Sequence, residues 1–151
     1  MISIRDSVSN YENVNWEPKE KLHVTLKFIG DVSSEIINEV SNDLVFIEKY
    51  SFIKCSFTKF GFYYRYNKPI ILWAGLETDV ILYNLVAELN EKFKDFNIPV
   101  EPKKFNPHIT LLRIKNDLGI NFVNNFKNFT FKPILFNANS VTLYKSILYP
   151  E

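Results

Sequence analysis

Two residue types that build most catalytic and structural sites are nearly missing from this 151-residue chain, which holds 1 cysteine and 2 histidines. A lone Cys55 excludes a disulfide framework and a cysteine-rich metal site, and it fits a reducing, cytoplasmic setting. Its expected place is that of a small buried hydrophobe. With only 4 glycines there is no Gly-rich phosphate loop and no Walker pattern, which argues against a nucleotide-triphosphate motor or kinase. A Gly-x-Ser-x-Gly elbow is absent as well. Charge of one sign is also lacking: Lys+Arg 18 against Asp+Glu 17 leaves a net charge of +1, so any anionic ligand must be held locally rather than by a global basic field. No run approaches the roughly 20 apolar residues of a membrane span. The start, Met1-Ile2-Ser3-Ile4-Arg5-Asp6, lacks the basic and apolar regions of a signal peptide. The expected protein is soluble and cytoplasmic, with no membrane partner. No Gly/Ser linker marks a boundary, and hydrophobic residues at 46% with aromatics at 16% suffice for a packed single domain over 1–151.

The two histidines stand in the same short pattern. His23-Val24-Thr25-Leu26 returns as His108-Ile109-Thr110-Leu111, and each run reads as a β-strand. Side chains two apart share a face of a strand, so His23 points with Thr25 and His108 with Thr110, while Val24, Leu26, Ile109 and Leu111 face a core. Each half offers one imidazole beside one hydroxyl.

The surrounding elements repeat too. A first strand is expected over 22–29, closed by Gly30-Asp31. A helix follows from a Ser33 or Ser34 cap, with Glu35 in its first turn and Ile36, Val40, Leu44 and Ile47 at helical spacing. Strands are expected over 51–60 and 70–76, separated by the aromatic connection Phe62 to Tyr66 and the turn Asn67-Lys68-Pro69. A second helix is expected from a Thr78 cap to Phe96, with Leu82, Leu85, Leu89, Phe93 and Phe96 on one stripe, ended by Asn97-Ile98-Pro99. The second His/Thr strand spans 108–114, then a short helix near 118–127 and strands over 129–136 and 140–148. Strand, helix, strand, strand occurs twice, which suggests a degenerate duplication. Two lobes, roughly 14–76 and 78–151, would be related by a pseudo-twofold axis that sets the His/Thr strands face to face across a groove.

Two imidazoles on opposite walls suit phosphoryl chemistry at neutral pH, because an unperturbed pKa of about 6.5 lets one be neutral and the other protonated together. One takes a proton from attacking water while the other gives a proton to the departing ribose oxygen. Thr25 and Thr110 are placed to donate to the equatorial phosphate oxygens. Arg113, at an odd offset from His108, falls on the other face of the strand, and it reaches a phosphate only if the strand twists or bulges there. Lys27 shares the face of Thr25, where a rim salt bridge or plain solvation is the expected role. Two distant histidines without acidic or cysteine neighbours at ligand spacing supply too few ligands for zinc, so neither a metal nor a cofactor is expected.

At this point the residues resemble those of the 2H phosphoesterase superfamily, specifically the RNA 2′,3′-cyclic phosphodiesterases historically called 2′-5′ RNA ligases. The resemblance rests on four segments. Val14 to Pro18 with Leu22 to Gly30 is similar to the first family signature. Pro69 to Gly75 is similar to the central strand, Phe105 to Arg113 to the second signature, and Leu143 to Leu148 to a late strand. It implies an α+β, bilobal fold with two antiparallel sheets around a central cleft and helices outside. The activity it implies is metal-independent opening of an RNA 2′,3′-cyclic phosphate end, or of a small cyclic nucleotide, to a 2′-phosphate. It also implies that His23 and His108 are the catalytic pair, with His23 as acid and His108 as base, and that Thr25, Thr110 and Arg113 bind substrate. Against the family pattern both ends read as shortened, Ile2 to Val8 resembling the end of a helix. Two other readings stay open: reversible 2′-5′ ligation, and a non-catalytic module that holds RNA ends or nucleotides with Tyr63, Tyr64 and Tyr66 as stacking surfaces. Packing beneath a loop competes for those tyrosines.

Overall fold

The computed structural model describes residues 14–50 and 52–146. Within them the helices arise where the capping chemistry allows. Ser33 is extended and its Oγ accepts from the Ile36 N–H at 3.4 Å, opening helix α1, Ser34–Asp43. The pattern continues as a 3₁₀ turn over Leu44–Lys49, which takes Leu44 and Ile47 out of the α-helix expected to hold them. Helix α2, Val80–Phe93, is capped by the carboxylate of Asp79 accepting from Ile81 N–H at 3.1 Å, not by Thr78, because Thr78 is the last residue of the preceding strand. Leu82, Leu85, Val86, Leu89 and Phe93 are its buried stripe, each contributing about 1.5–3 kcal/mol of burial. After a 3₁₀ turn, Lys94–Phe96, the chain reverses at left-handed Asn97, and the Ile98 N–H donates to the Phe93 carbonyl at 3.0 Å. Helix α3 is Gly119–Lys127.

Strands β1, Ile53–Arg65, and β2, Lys68–Thr78, form a hairpin longer than the sequence suggested. Phe62 is buried and Tyr63 half-buried, so the aromatic run belongs to β1 and not to a connection. The turn is Tyr66–Asn67, with φ of 49° and 62°, the pair of positive values a two-residue hairpin loop uses. Pro69 is tolerated inside β2 because it lies beyond the last β2–β3 pair, Ile71 with Arg113, so its missing N–H leaves no ladder bond open on that side. Strand β3 is His108–Arg113 and β4 is Ile134–Ala138, which begins only after Pro133. Among the described residues there is one four-stranded sheet, in the order β3-β2-β1-β4, where two were expected.

Two expected strands are corrected. Residues 22–29 form no ladder: Val24 makes a single bridge to Ile109, and further along the Phe28 N–H donates to the Glu101 carboxylate at 3.2 Å, not to a strand. Residues 140–146 form no strand either. They are exposed except for half-buried Leu143, so no face is available to bury. Residues 147–148, like the helix-like start at Ile2 to Val8, lie outside the described residues. No helix among the described residues is long and apolar enough to cross a membrane.

The described residues fall into two compact units, one within Met1–Leu26, Ser56–Glu77 and Asn106–Leu135, the other within Lys27–Cys55, Thr78–Phe105 and Phe136–Glu151. The first is built on aromatic packing: Phe122 and Phe126 are fully buried, and Phe126 meets Phe60, Phe62 and Trp16 at ring separations of 5.4, 6.3 and 6.0 Å. In the second, the Lys92 ammonium of α2 reaches the Asp43 carboxylate of α1 at 3.1 Å, and Lys49 and Tyr50 both donate to Glu88. Cys55 is buried there at 4% exposure, and burial pushes its thiol up from the usual range. The thiolate is the reactive form. Native protein at pH 8 is therefore expected to resist a thiol reagent that labels Cys55 fully once the chain is unfolded, and rapid labelling of the folded chain would contradict this burial.

Candidate active site

Strand β3 is flanked on both sides. On one side β2 pairs with it antiparallel, Gly75 opposite His108, Ala74 opposite Ile109 and Trp73 opposite Thr110. On the other side lie two single bridges, Trp16 to Leu112 and Val24 to Ile109, both antiparallel, and the Glu17 N–H donates to the Leu111 carbonyl at 2.8 Å. The Val24 bridge aligns the two motifs. One step either side of it places His23 opposite Thr110 and Thr25 opposite His108, and cross-strand partners share a face. All four polar side chains thus fall on one face, the two imidazoles on a diagonal that in regular antiparallel geometry is about 7–8 Å long. His23 is exposed and the other three are half-buried. The aliphatic members behave as the complementary face: Ile109 and Leu111 are buried.

Arg113 joins the same face through a bulge. Ile71 pairs with Arg113 and Leu72 with Leu112, but Trp73 pairs with Thr110, so β3 carries one residue more than β2 across the irregularity at Leu72/Trp73. An extra residue reverses the alternation beyond it. Burial follows this reversal: Leu111 and Leu112 are consecutive buried residues and Arg113 is exposed. The odd offset that put Arg113 on the wrong face is cancelled, and its Nε pairs with the Glu17 carboxylate at 3.3 Å. Arg113 is exposed and Glu17 half-buried, and a pair open to solvent on one side holds on the order of 1 kcal/mol.

The two imidazoles are held alike. His23 Nδ1–H donates to the Lys21 carbonyl at 2.7 Å and His108 Nδ1–H to the Asn106 carbonyl at 2.8 Å, in each case two residues upstream. A carbonyl only accepts, so Nδ1 carries the proton in both rings and any proton exchange would run through Nε2. His108 has further support. The Tyr63 hydroxyl lies 3.4 Å from its Nδ1, the Tyr63 ring meets its ring edge-on at 5.2 Å, and Trp73 stands 6.1 Å away. Trp73 itself rests on Gly61, where a Cβ would lie 2.7 Å from the indole Cε2 and closer still to Cζ2 and Cη2. The indole N–H is buried with no partner among the described residues, so the ring's position is set by packing and not by a hydrogen bond.

His23, Thr25, His108, Thr110 and Arg113 are therefore together in the first unit, while Lys27 belongs to the second, where its ammonium donates to the Pro99 carbonyl. Of the three tyrosines only Tyr63 lies at the site. Tyr64 is exposed, with the Lys127 ammonium 5.6 Å from its ring, and Tyr66 stands on the hairpin turn at 88% exposure. Sequence reading missed Glu17, Gly61 and the Trp73 and Tyr63 support. The available signal was Gly61 itself, since a glycine inside a strand marks close approach. A cavity of about 110 Å³ lies beside Arg113 and is lined also by Asn15, Lys115 and Asn116.

Known proteins are similar to this chain over most of its length. The RNA 2′,3′-cyclic phosphodiesterase of Thermotoga maritima is 31% identical over 137 residues, covering 89% of this chain and 72% of that protein. That of Methanocaldococcus jannaschii is 29% identical over 141 residues, 88% and 75%. Among solved structures, a Thermus thermophilus protein superposes with a TM-score of 0.65 at 21% identity, over 91% of this chain and 73% of that one. Escherichia coli LigT complexed with 3′-AMP gives 0.64 at 22%, over 90% and 73%. These two likenesses show the fold, an α+β arrangement with an antiparallel sheet. The family of LigT-like phosphoesterases matches residues 2–73 and 77–151, so the chain belongs to it.

Proposed function

We propose that this chain is an RNA 2′,3′-cyclic phosphodiesterase that opens terminal cyclic phosphates to 2′-phosphates by paired histidine acid–base catalysis without a metal. The observation that carries the reading is the register at Val24 and Ile109, which aligns the two His/Thr motifs antiparallel on one face. His108 Nε2 takes a proton from water, the water oxygen bonds to phosphorus, the bond from phosphorus to the 3′ oxygen breaks, and His23 Nε2–H protonates that oxygen. The phosphate stays on the 2′ oxygen. Thr25 and Thr110 donate to the non-bridging oxygens and Arg113 exchanges Glu17 for the phosphate. With a 5′-hydroxyl in place of water the same steps make a 2′-5′ linkage, and the ratio of water to RNA ends decides between them. The names of the relatives support the substrate class. The bilobal organisation, with lobes near 14–76 and 78–151 and two sheets around a cleft, belongs to this reading and not to the described sheet.

The test is a rate profile on an RNA ending in a 2′,3′-cyclic phosphate. Because one neutral and one protonated imidazole are needed together, the rate is expected to rise and then fall with pH, and EDTA is expected to leave it unchanged. Loss of activity in EDTA, restored by zinc or magnesium, would contradict the metal-free mechanism.

A further inference from the structure

Gly75 stands opposite His108 in the β2–β3 ladder, so a side chain at 75 would rise on the His/Thr face. That space is bordered by Trp73 and by Lys59 of β1: a Cβ at 75 would lie 3.0 Å from Trp73 Cζ3, 3.2 Å from Lys59 Cγ and 3.3 Å from its Cε. The lysine stem therefore extends over β2 beside Gly75, where the missing Cβ leaves it room. With Cγ and Cε both beside Gly75, the exposed lysine lies on the face that carries His108, next to the residue paired with it. It approaches from the β2 side of His108, while His23 flanks β3 from the opposite side. Lys59 is exposed and makes no ion pair or hydrogen bond among the described residues. Lys19, Lys49, Lys92, Lys94 and Arg113, by contrast, each meet a carboxylate, and Lys27 meets a carbonyl.

A solvated cation on the site face, displaced to one side of the diagonal between the imidazoles, is placed for a second anion and not for the reacting one. We propose that Lys59 binds the phosphodiester immediately upstream of the cyclic phosphate, giving the site a subsite for the penultimate phosphate of an RNA chain. This rests on the hydrolytic reading above and deepens it, because it makes an oligonucleotide end a better substrate than a cyclic mononucleotide. A lysine serves such a contact as a point charge on a flexible stem, and the half-buried rings of Tyr63 and Trp73, 5.7 Å apart beside it, add an apolar floor on the same face.

The experiment compares wild type, Lys59→Gln and Lys59→Arg on a 2′,3′-cyclic mononucleotide and on a trinucleotide ending in a 2′,3′-cyclic phosphate. For Lys59→Gln the trinucleotide KM is expected to rise about fivefold. The slope of its logarithm against log salt should fall by about 0.7, the value for one phosphate contact on a single strand. The mononucleotide parameters should stay within twofold, and Lys59→Arg should restore most of the trinucleotide KM. Equal losses on both substrates would overturn the subsite, as would no change on either. Calorimetric binding of a trinucleotide ending in a 2′-phosphate reads the contact without turnover. If wild type hydrolysed neither substrate, the hydrolytic reading would fall, and unchanged calorimetric affinity in Lys59→Gln would then overturn the subsite separately.

Discussion

Alanine at His23 or at His108 is expected to lower kcat on a cyclic-phosphate RNA end by about 10²-fold to 10⁴-fold in each case, the usual effect of losing a general acid or base. KM should change much less, because in the proposed mechanism Thr25, Thr110 and Arg113 still hold the phosphate. The double variant should fall little below the worse single one, since groups acting in one proton relay lose their effect together. The reason lies in the geometry: each ring has its Nδ1 proton tied to a carbonyl two residues upstream, which turns Nε2 of both towards the proposed proton transfers. Steady-state kinetics on folded variants checks this. Near-native turnover by either single variant would break the two-histidine mechanism.

Valine at Gly61 is expected to cost about 10²-fold in kcat although residue 61 touches neither histidine. A Cβ there would overlap Trp73 Cζ2 and Cη2 and lie 2.7 Å from Cε2, so the indole must move, and it packs against both Tyr63 and His108. A displacement on the order of 1 Å at a reacting ring is enough for a loss of that size. Because the substitution also strains β1, the measurement pairs kcat with a thermal melt and adds Gly61→Ala in a Trp73→Phe background, where the smaller ring relieves the clash and activity should partly return. A Gly61→Val protein that melts like wild type and turns over normally would mean that the Trp73 platform does not position His108.

Much of this was legible in the sequence because it depends on local periodicity. The His/Thr motifs, the helices and the α2 stripe follow from alternation, capping residues and helical spacing, which a single chain displays directly. What was not legible depends on partners. The run 22–29 has strand composition, yet it gains one bridge, because its later backbone is satisfied by Glu101 and not by a strand. The aromatic run at 62–66 looked like a connection because turn residues follow it, and only the positive φ of Tyr66 and Asn67 places the reversal. The face of Arg113 turned on a bulge, and a bulge is a property of two strands' registers, which no count along one strand reveals. The same holds for Gly61 and Gly75: the sequence shows that glycines are there, but the indole and the lysine stem that need the space come from other strands.

The position of the product phosphate tests the central claim most directly. Wild-type protein is incubated with an RNA ending in a 2′,3′-cyclic phosphate, and the product is examined by phosphorus NMR and by treatment with an enzyme specific for 3′-phosphates. Paired histidines that expel the 3′ oxygen predict a 2′-phosphate, resistant to that enzyme and formed equally in EDTA. A 3′-phosphate product would contradict the assignment of leaving group, and an unreacted cyclic end would contradict the proposed activity itself.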